Sequence, residues 1–188
     1  MTEPQKIGAL IGGREVPLER APEFRRESSA GRAGRIVATV PGGDIEPVEA
    51  LVKSLSEPFY VLYVLHTSRG EAPVGRYQSQ DIGTEEALGF LRRFRTFLQQ
   101  DGRFDLWIHA VRDKATVVWD RHNLLYCYGD LDAMERVLKG LGFGIGNPSI
   151  DFPHAHHYRE EHDDSARALM SHFQWHFSEL RPQDVQFP

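Results

Sequence analysis

Apolar residues recur with strand-like spacing at five places along the chain, and each place predicts a β-strand. The runs are rich in β-branched and aromatic residues, and Gly, Pro, Asp or Asn follows them, which is typical of strands. The run at residues 59–65 is continuously apolar, a pattern that favours a central strand covered on both faces. The five predicted strands are residues 35–40, 59–65, 104–110, 116–119 and 124–128.

The last three predicted strands are separated by very short turns, at Asp113-Lys114 and at residues 120–123. Turns of this length join neighbouring antiparallel strands, so the three strands should form a meander. With Asp113-Lys114 as the turn, one face of the meander carries Trp107, His109 and Val118. The other face carries Leu106, Ile108, Ala110, Val117 and Trp119. Large apolar groups on both faces indicate that helices cover both, or that one face is partly open and binds something.

Apolar residues spaced three and four apart predict four helices between or after the strands. The second helix is long and should end at Asp101-Gly102. The fourth is expected to bury residues as far along as Phe177, which places His172 and His176 one turn apart on it. The predicted first residues or caps of the four helices are Asp44, Thr84, Asp130 and Asp163 or Asp164.

This order of elements predicts an α+β fold in a single domain, with a mostly antiparallel sheet of about five strands packed with about four helices. Three segments are expected. Residues 1–34, which Gly and Pro interrupt repeatedly, should form an extended or partly flexible arm. Residues 35–177 should form the core domain, and residues 178–188 a polar C-terminal tail.

Composition narrows the class of protein and its partners. The 188 residues are 40% hydrophobic and 26% charged, with a net charge of −5, which is typical of a soluble globular protein and disfavours a nucleic-acid binder. The N-terminus does not resemble a signal peptide, and no run approaches the roughly 20 apolar residues of a membrane span. Cys127 is the single cysteine, so no internal disulfide can form. A cytoplasmic protein without membrane partners is expected.

Histidines carry the strongest candidate chemistry. His154 and His156 should point to the same side of an extended chain, where two imidazoles could share a metal ion. His172 and His176 could add two more imidazoles from the last helix. These four histidines, His154, His156, His172 and His176, are therefore the candidate ligands for a divalent metal such as zinc. The alternative is that these histidines pack against the aromatic residues around them, since a His-Glu-x-x-His motif is absent.

Two classes of function follow, and the sequence leaves open whether the protein is an enzyme. The first is a non-catalytic binding or regulatory module, accessory or inhibitor-like, that holds another protein or a small ligand at the aromatic sheet face. The absence of a catalytic motif favours this class. The alternative is a small metal-dependent hydrolase that uses the C-terminal histidines. Imidazoles that converge would favour the hydrolase, and scattered imidazoles beside a flat apolar patch would favour the binding module.

Overall fold

The computed structural model describes residues 4–28 and 34–184, which fold into two β-sheets and five α-helices. The strands are β1 (Ile7–Ile11), β2 (Arg14–Pro17), β3 (Glu23–Glu27), β4 (Arg35–Thr39), β5 (Phe59–Leu65), β6 (Gly75–Gln78), β7 (Phe104–Ala110), β8 (Ala115–Trp119), β9 (Leu124–Tyr128), β10 (Gly144–Ile145), β11 (His154–His156) and β12 (His176–Ser178). The helices are α1 (Glu46–Lys53), α2 (Thr84–Arg93), α3 (Arg95–Gln100), α4 (Leu131–Gly140) and α5 (Asp163–Met170).

The large sheet has nine strands in the order β10-β3-β4-β9-β8-β7-β5-β6-β12, and the small sheet has three in the order β11-β1-β2. The large sheet is mixed. Strand β10 runs parallel to β3, and all other neighbouring strands of this sheet pair antiparallel. The five predicted strands lie side by side at its centre, as β4-β9-β8-β7-β5.

The α+β class is therefore confirmed, but a sheet of about five strands is wrong. The strands that the apolar pattern misses are two to five residues long and lie at the flanks of the large sheet or in the small one. Several are mostly polar, such as β2 and β3. Flanking strands need little apolar alternation because much of their surface faces water, so their pairing leaves a weak trace in the sequence.

The meander and its two faces are confirmed. Strands β7, β8 and β9 pair antiparallel in sequence, with Leu106 opposite Trp119 and Trp107 opposite Val118. The face that carries Leu106 belongs to the main core, together with buried side chains from all five helices. On the other face, Val118 packs in a smaller apolar cluster with Trp107 at its margin, and we call this side the second face.

The helices differ from prediction in their caps, their number and the end of the last one. The N-cap residues of α1 and α2 are Ile45 and Gly83 rather than Asp44 and Thr84. The long second helix is divided at Phe94, where φ is −103° and ψ is 15°, so five helices replace the expected four. The last helix ends at Met170, well before Phe177. Trp175 folds back and its Nε1 donates a hydrogen bond of 3.2 Å to the carbonyl of Leu169, which satisfies a backbone group left free at the helix end. The predicted cap at Asp130 is confirmed, since its side chain accepts from the Ala133 amide.

Within the segment expected to be an arm, residues 4–28 form β1, β2 and β3. Strand β3 pairs with β4 and buries Phe24, while β1 pairs with β11 across the small sheet. At the other end, Ser178 lies in β12 and Asp184 forms an ion pair with Arg76. Whether residues 1–34 and 178–188 are separable from the core domain stays a prediction, and residues 1–3, 29–33 and 185–188 lie outside the described part of the chain.

Candidate metal centre

Three imidazoles converge where the small sheet meets the turn between β8 and β9. His154 and His156 come from β11, and His122 comes from the turn. One nitrogen from each ring lies within 4.8 Å of the others. The ring centroids are 5.3 Å apart for His122 and His154, 4.9 Å for His122 and His156, and 5.2 Å for His154 and His156. The rings therefore form a nearly equilateral triangle.

Strand geometry places the first two imidazoles. In β11, His154 pairs with Ala9 and His156 with Ile7 of β1, in antiparallel register. Side chains two residues apart on a strand point to the same side, so both rings lie on one side of β11, as the spacing predicted. That side faces His122 in the β8–β9 turn. The Nδ1 atom of His154 lies 3.0 Å from the carbonyl oxygen of Phe152, to which it can donate. This contact fixes the ring and leaves Nε2 available as a ligand.

Asp120 holds the third imidazole. Its Oδ1 atom accepts from the amides of His122 and Leu124, both at 2.9 Å, which shapes the turn. Its Oδ2 atom lies 2.9 Å from Nδ1 of His122. A carboxylate in this position selects the tautomer with the proton on Nδ1 and leaves the Nε2 lone pair for a metal. The Asp120 side chain is 2% exposed, so water competes little for this hydrogen bond.

The electrostatics of the centre keep His156 neutral. Burial lowers the pKa of His156 to about 4, and the neighbouring His122, His154 and Arg121 act in the same direction. The imidazole is therefore neutral near pH 7, and one of its two ring nitrogens has a lone pair for a metal. Among the described residues, the buried Nδ1 atom of His156 has no hydrogen-bond partner. A metal bound through His156 would provide the positive partner that this neutral imidazole lacks.

The geometry fits a zinc ion after a small closure. Tetrahedral Zn²⁺ with Zn–N bonds of about 2.0–2.1 Å needs ligand nitrogens about 3.3 Å apart. The three nitrogens lie within 4.8 Å of one another, so the rings must approach by no more than about 1.5 Å. Within the described ranges, no fourth His, Cys, Asp or Glu joins this group. Three protein ligands leave one position of a tetrahedral ion for water or a substrate.

The other two histidines expected at the site lie elsewhere. His172 follows the end of α5 and packs against three aromatic rings, with centroid distances of 4.5 Å to Phe173, 5.3 Å to Phe94 and 5.5 Å to Phe90. His176 is exposed and begins β12, where it pairs with Gln78. The expectation that His172 and His176 share a helix is wrong, because α5 ends at Met170.

His122 is the candidate ligand that the sequence did not identify. Its only local signal is the spacing Asp120-Arg121-His122, an acceptor two residues before an imidazole in a hairpin turn, which is also ordinary turn chemistry. Cys127, which lies in β9 and is buried in the main core, adds no reactive group. Burial raises the pKa of its thiol to about 12, so it carries a proton at neutral pH.

A second candidate region lies on the second face of the large sheet, away from the helices. A depression of about 250 Å³ is open to solvent there, and Trp107 and His109 are half-buried in it. The Nδ1 atom of His109 lies 2.9 Å from Oγ1 of Thr116, whereas the buried Nε1 of Trp107 has no partner among the described residues. We call this depression the sheet groove; its lining residues are Tyr60, Leu62, Gln78, Trp107, His109 and Thr116.

The chain matches no protein-family model, no curated protein and no solved structure. Among the described residues, no helix has both the length and the apolar character needed to cross a bilayer. The inference of function therefore begins from the geometry of the two candidate regions.

Proposed function

We propose that this protein binds a divalent transition metal, with zinc the best fit, at His122, His154 and His156, and that it is a metal-dependent hydrolase. The observation that carries the proposal is the convergence of three imidazole nitrogens within 4.8 Å. The hydrogen bonds that His122 donates to Asp120 and that His154 donates to the Phe152 carbonyl support it, because metal-binding histidines are usually held by such contacts.

The ligand set favours zinc over other common ions. Neutral imidazoles suit Zn²⁺, Cu²⁺, Ni²⁺ and Fe²⁺, whereas Mg²⁺ and Ca²⁺ prefer oxygen ligands. A trio of histidines with one open position is typical of catalytic zinc rather than structural zinc, which is closed by four protein ligands. At such a position zinc lowers the pKa of bound water to about 7 and so supplies hydroxide for hydrolysis.

Measuring the metal content of the protein tests whether it binds zinc at this centre. Protein purified without a histidine tag should contain about one zinc per chain, and single His154→Gln or His156→Gln variants should bind zinc at least about 100-fold more weakly. His172→Gln and His176→Gln are matched controls, since both histidines lie outside the centre, and they should keep the affinity of the parent. Parent-like zinc affinity in the His154→Gln/His156→Gln double variant would show that the centre is not the binding site.

An esterase assay tests whether the protein is a metal-dependent hydrolase. With p-nitrophenyl acetate as a generic ester probe, the zinc-loaded protein should release p-nitrophenolate faster than the same protein treated with a chelator, and zinc should restore the rate. The His122→Gln variant should behave like the chelated protein. Equal rates for the loaded, chelated and His122→Gln proteins would reject the hydrolase and leave a metal-binding protein.

A second candidate function is the non-catalytic binding module that the sequence favours, with the sheet groove as its site. The supporting observation is the half-buried Trp107, whose Nε1 donor is buried without a partner among the described residues. Buried donors usually find an acceptor, so a ligand atom or an ordered water belongs beside it. Binding at this groove should persist in chelator and should be unchanged by His156→Gln, because neither treatment alters the residues that line it.

A further inference from the structure

The sheet groove adjoins a second depression at the edge of the large sheet. This second depression has a volume of about 540 Å³, and Gln78 lines both. Its lining residues are Gln78, Ser79, Gln80, His172, Phe173, Gln174 and His176. We call the two depressions together the extended groove.

The pairing of four strands places residues from both depressions in one row. His176 of β12 pairs with Gln78 of β6, Gln78 pairs with Leu62 of β5, and Leu62 pairs with Trp107 of β7. Directly opposed residues share a sheet face, so these side chains form one row across the second face. With strands about 4.8 Å apart, the row spans roughly 14 Å.

None of the described residues that line the extended groove is Asp, Glu, Lys or Arg. The groove lacks any carboxylate, ammonium or guanidinium group, although 26% of the chain is Asp, Glu, Lys or Arg. Burial lowers the pKa of His172; the nearby Arg93 acts in the same direction and Glu86 opposes it, and neither of these charged residues lines the groove. A charged ligand would lose hydration here without gaining a counter-charge, which favours a neutral one.

The two ends of the extended groove differ in chemistry. The end at β5 and β7 presents Tyr60, Leu62 and the ring of Trp107, which suit a flat aromatic group. The other end presents the exposed amides of Gln80 and Gln174, whose side chains make no hydrogen bond within the described residues. An amide both donates and accepts, so it complements a hydroxyl group, which does the same.

We propose that the extended groove binds a neutral aromatic glycoside, with its aromatic ring against Trp107 and its sugar hydroxyls at Gln78, Gln80 and Gln174. The assignment rests on the second candidate function, because it names the ligand of the binding module. It does not depend on the metal centre, which contributes no residue to the groove.

Two probes that differ by one carboxylate test the ligand class: phenyl β-D-glucopyranoside and phenyl β-D-glucuronide. Saturation-transfer NMR on the full chain in EDTA should show binding of the glucoside, with the strongest transfer to the phenyl protons. The dissociation constant of the glucuronide should be at least about tenfold higher. Trp107→Leu and Gln78→Ala should each weaken glucoside binding by about tenfold or more. Gln99→Ala is the matched control, since Gln99 lies on α3 and outside the extended groove.

Each outcome separates the ligand class from the site. Equal affinity for the two probes, with both lost in Trp107→Leu, would reject a neutral ligand while keeping the groove as a binding site. Absence of saturation transfer to either probe would reject the glycoside. Equal transfer in the parent and in a folded Trp107→Leu variant would reject the sheet groove as the binding site and with it the second candidate function. Thermal melting of each variant identifies loss of binding that is due to unfolding.

Discussion

At the scale of single residues, Asp120 has the most consequential position in the molecule. Its buried carboxylate accepts from the amides of His122 and Leu124 and bonds the ring of His122. The backbone carbonyl of Asp120 also accepts from Nζ of Lys6, at 3.3 Å. Asp120 therefore shapes the turn, orients a proposed zinc ligand and contacts the amino group of the buried Lys6.

Replacing Asp120 by Asn tests its role as a positioning residue. The Asn carbonyl can still accept from the two backbone amides, but its NH₂ group cannot accept from Nδ1 of His122. Zinc affinity should fall by about 10- to 100-fold, because the imidazole loses the contact that sets its tautomer and orientation. Isothermal titration with zinc measures this, with Asp81→Asn, at an exposed loop position, as the control. Unchanged affinity in a folded Asp120→Asn variant would mean that the carboxylate does not act on the metal.

The buried Lys6 leads us to predict that the protein becomes more stable as the pH rises above 7. Its side chain is fully buried, and Nζ lies 3.9 Å from the centroid of the Trp119 ring and 4.6 Å from that of Phe104. Burial lowers its pKa to about 7, although Asp120, Asp105 and Asp101 oppose this shift. Because the folded pKa lies below the unfolded value of about 10.4, the unfolded chain binds more protons between these values. The free energy of unfolding should therefore rise between pH 7 and 10, by at most about 1.4 kcal/mol per pH unit.

Urea unfolding of the Lys6→Met variant between pH 7 and 10 checks this. Met keeps the apolar stem against the rings and cannot titrate, so the rise in stability with pH should disappear. Lys53→Met is the control, because Lys53 is half exposed on α1 and its substitution should preserve the rise. The same pH dependence in Lys6→Met as in the parent would assign the effect to another group.

At the scale of elements, the segment after α5 shows how a few aromatic residues end a helix and build a strand. Phe173 and Trp175 pack into the main core rather than continuing the helical stripe. Their rings lie 5.1 Å apart, nearly perpendicular, and Trp175 bonds the last turn of α5. The chain then pairs as β12 with β6, which extends the large sheet and forms the polar end of the extended groove.

His172, which lies in the same segment, leads us to predict that the folded protein loses stability at acid pH. Burial lowers the pKa of this imidazole, so its folded pKa lies below the unfolded value of about 6.5. The stability that the neutral ring contributes is present above pH 6.5 and is lost as the pH falls below it. In chelator, the melting temperature of His172→Phe should therefore fall less between pH 7.5 and 5.5 than that of the parent. The variant keeps an aromatic ring against Phe90 and cannot take up a proton.

His176→Gln is the matched control for this measurement, since His176 is exposed, and its melting profile should follow that of the parent. Burial also lowers the pKa of His156 and His162, which should account for the acid sensitivity left in His172→Phe. A fall in melting temperature as large in His172→Phe as in the parent would contradict a contribution from His172.

At the scale of the whole molecule, the small sheet carries two of the three proposed ligands, and the large sheet supplies the third through its β8–β9 turn. Strand β1 links them, because it pairs with β11 and because the preceding residue, Lys6, contacts Asp120. Lys6 and β1 therefore help to hold the candidate metal centre in place, although they contribute none of the three proposed ligands.

Deleting residues 1–19 tests this dependence. The truncated chain keeps β3 and the central strands, so it should still unfold cooperatively, at a lower midpoint because the buried Lys6 and Ile7 are lost. Zinc affinity should fall by more than about 100-fold, since β11 loses its pairing partner and the ligands lose their orientation. Deletion of residues 1–4 leaves β1 complete and is the control. Parent-like zinc affinity without residues 1–19 would show that β1 does not hold the site.

Much of the central architecture could be predicted from the sequence. The strands from β4 to β9 that the apolar pattern found are the ones buried deepest, where packing demands β-branched and aromatic residues. The turn between β7 and β8 spans residues 111–114 rather than Asp113-Lys114 alone, so the register is shifted by two residues from the predicted one. A shift of two residues keeps every side chain on its predicted face. The same reasoning missed β2, β6 and the other short strands, whose hydrogen bonds depend on neighbours distant in sequence.

The sequence by itself therefore determined the α+β class, the central meander with its two faces, and the pairing of His154 with His156 on one side of a strand. These features depend on periodicity and turn length, which act over a few residues. Only the tertiary structure brought His122, more than thirty positions earlier in the chain, to those two imidazoles and placed His172 and His176 elsewhere. Contacts between distant segments are decided by how sheets and helices pack together, and spacing along the chain carries no record of them.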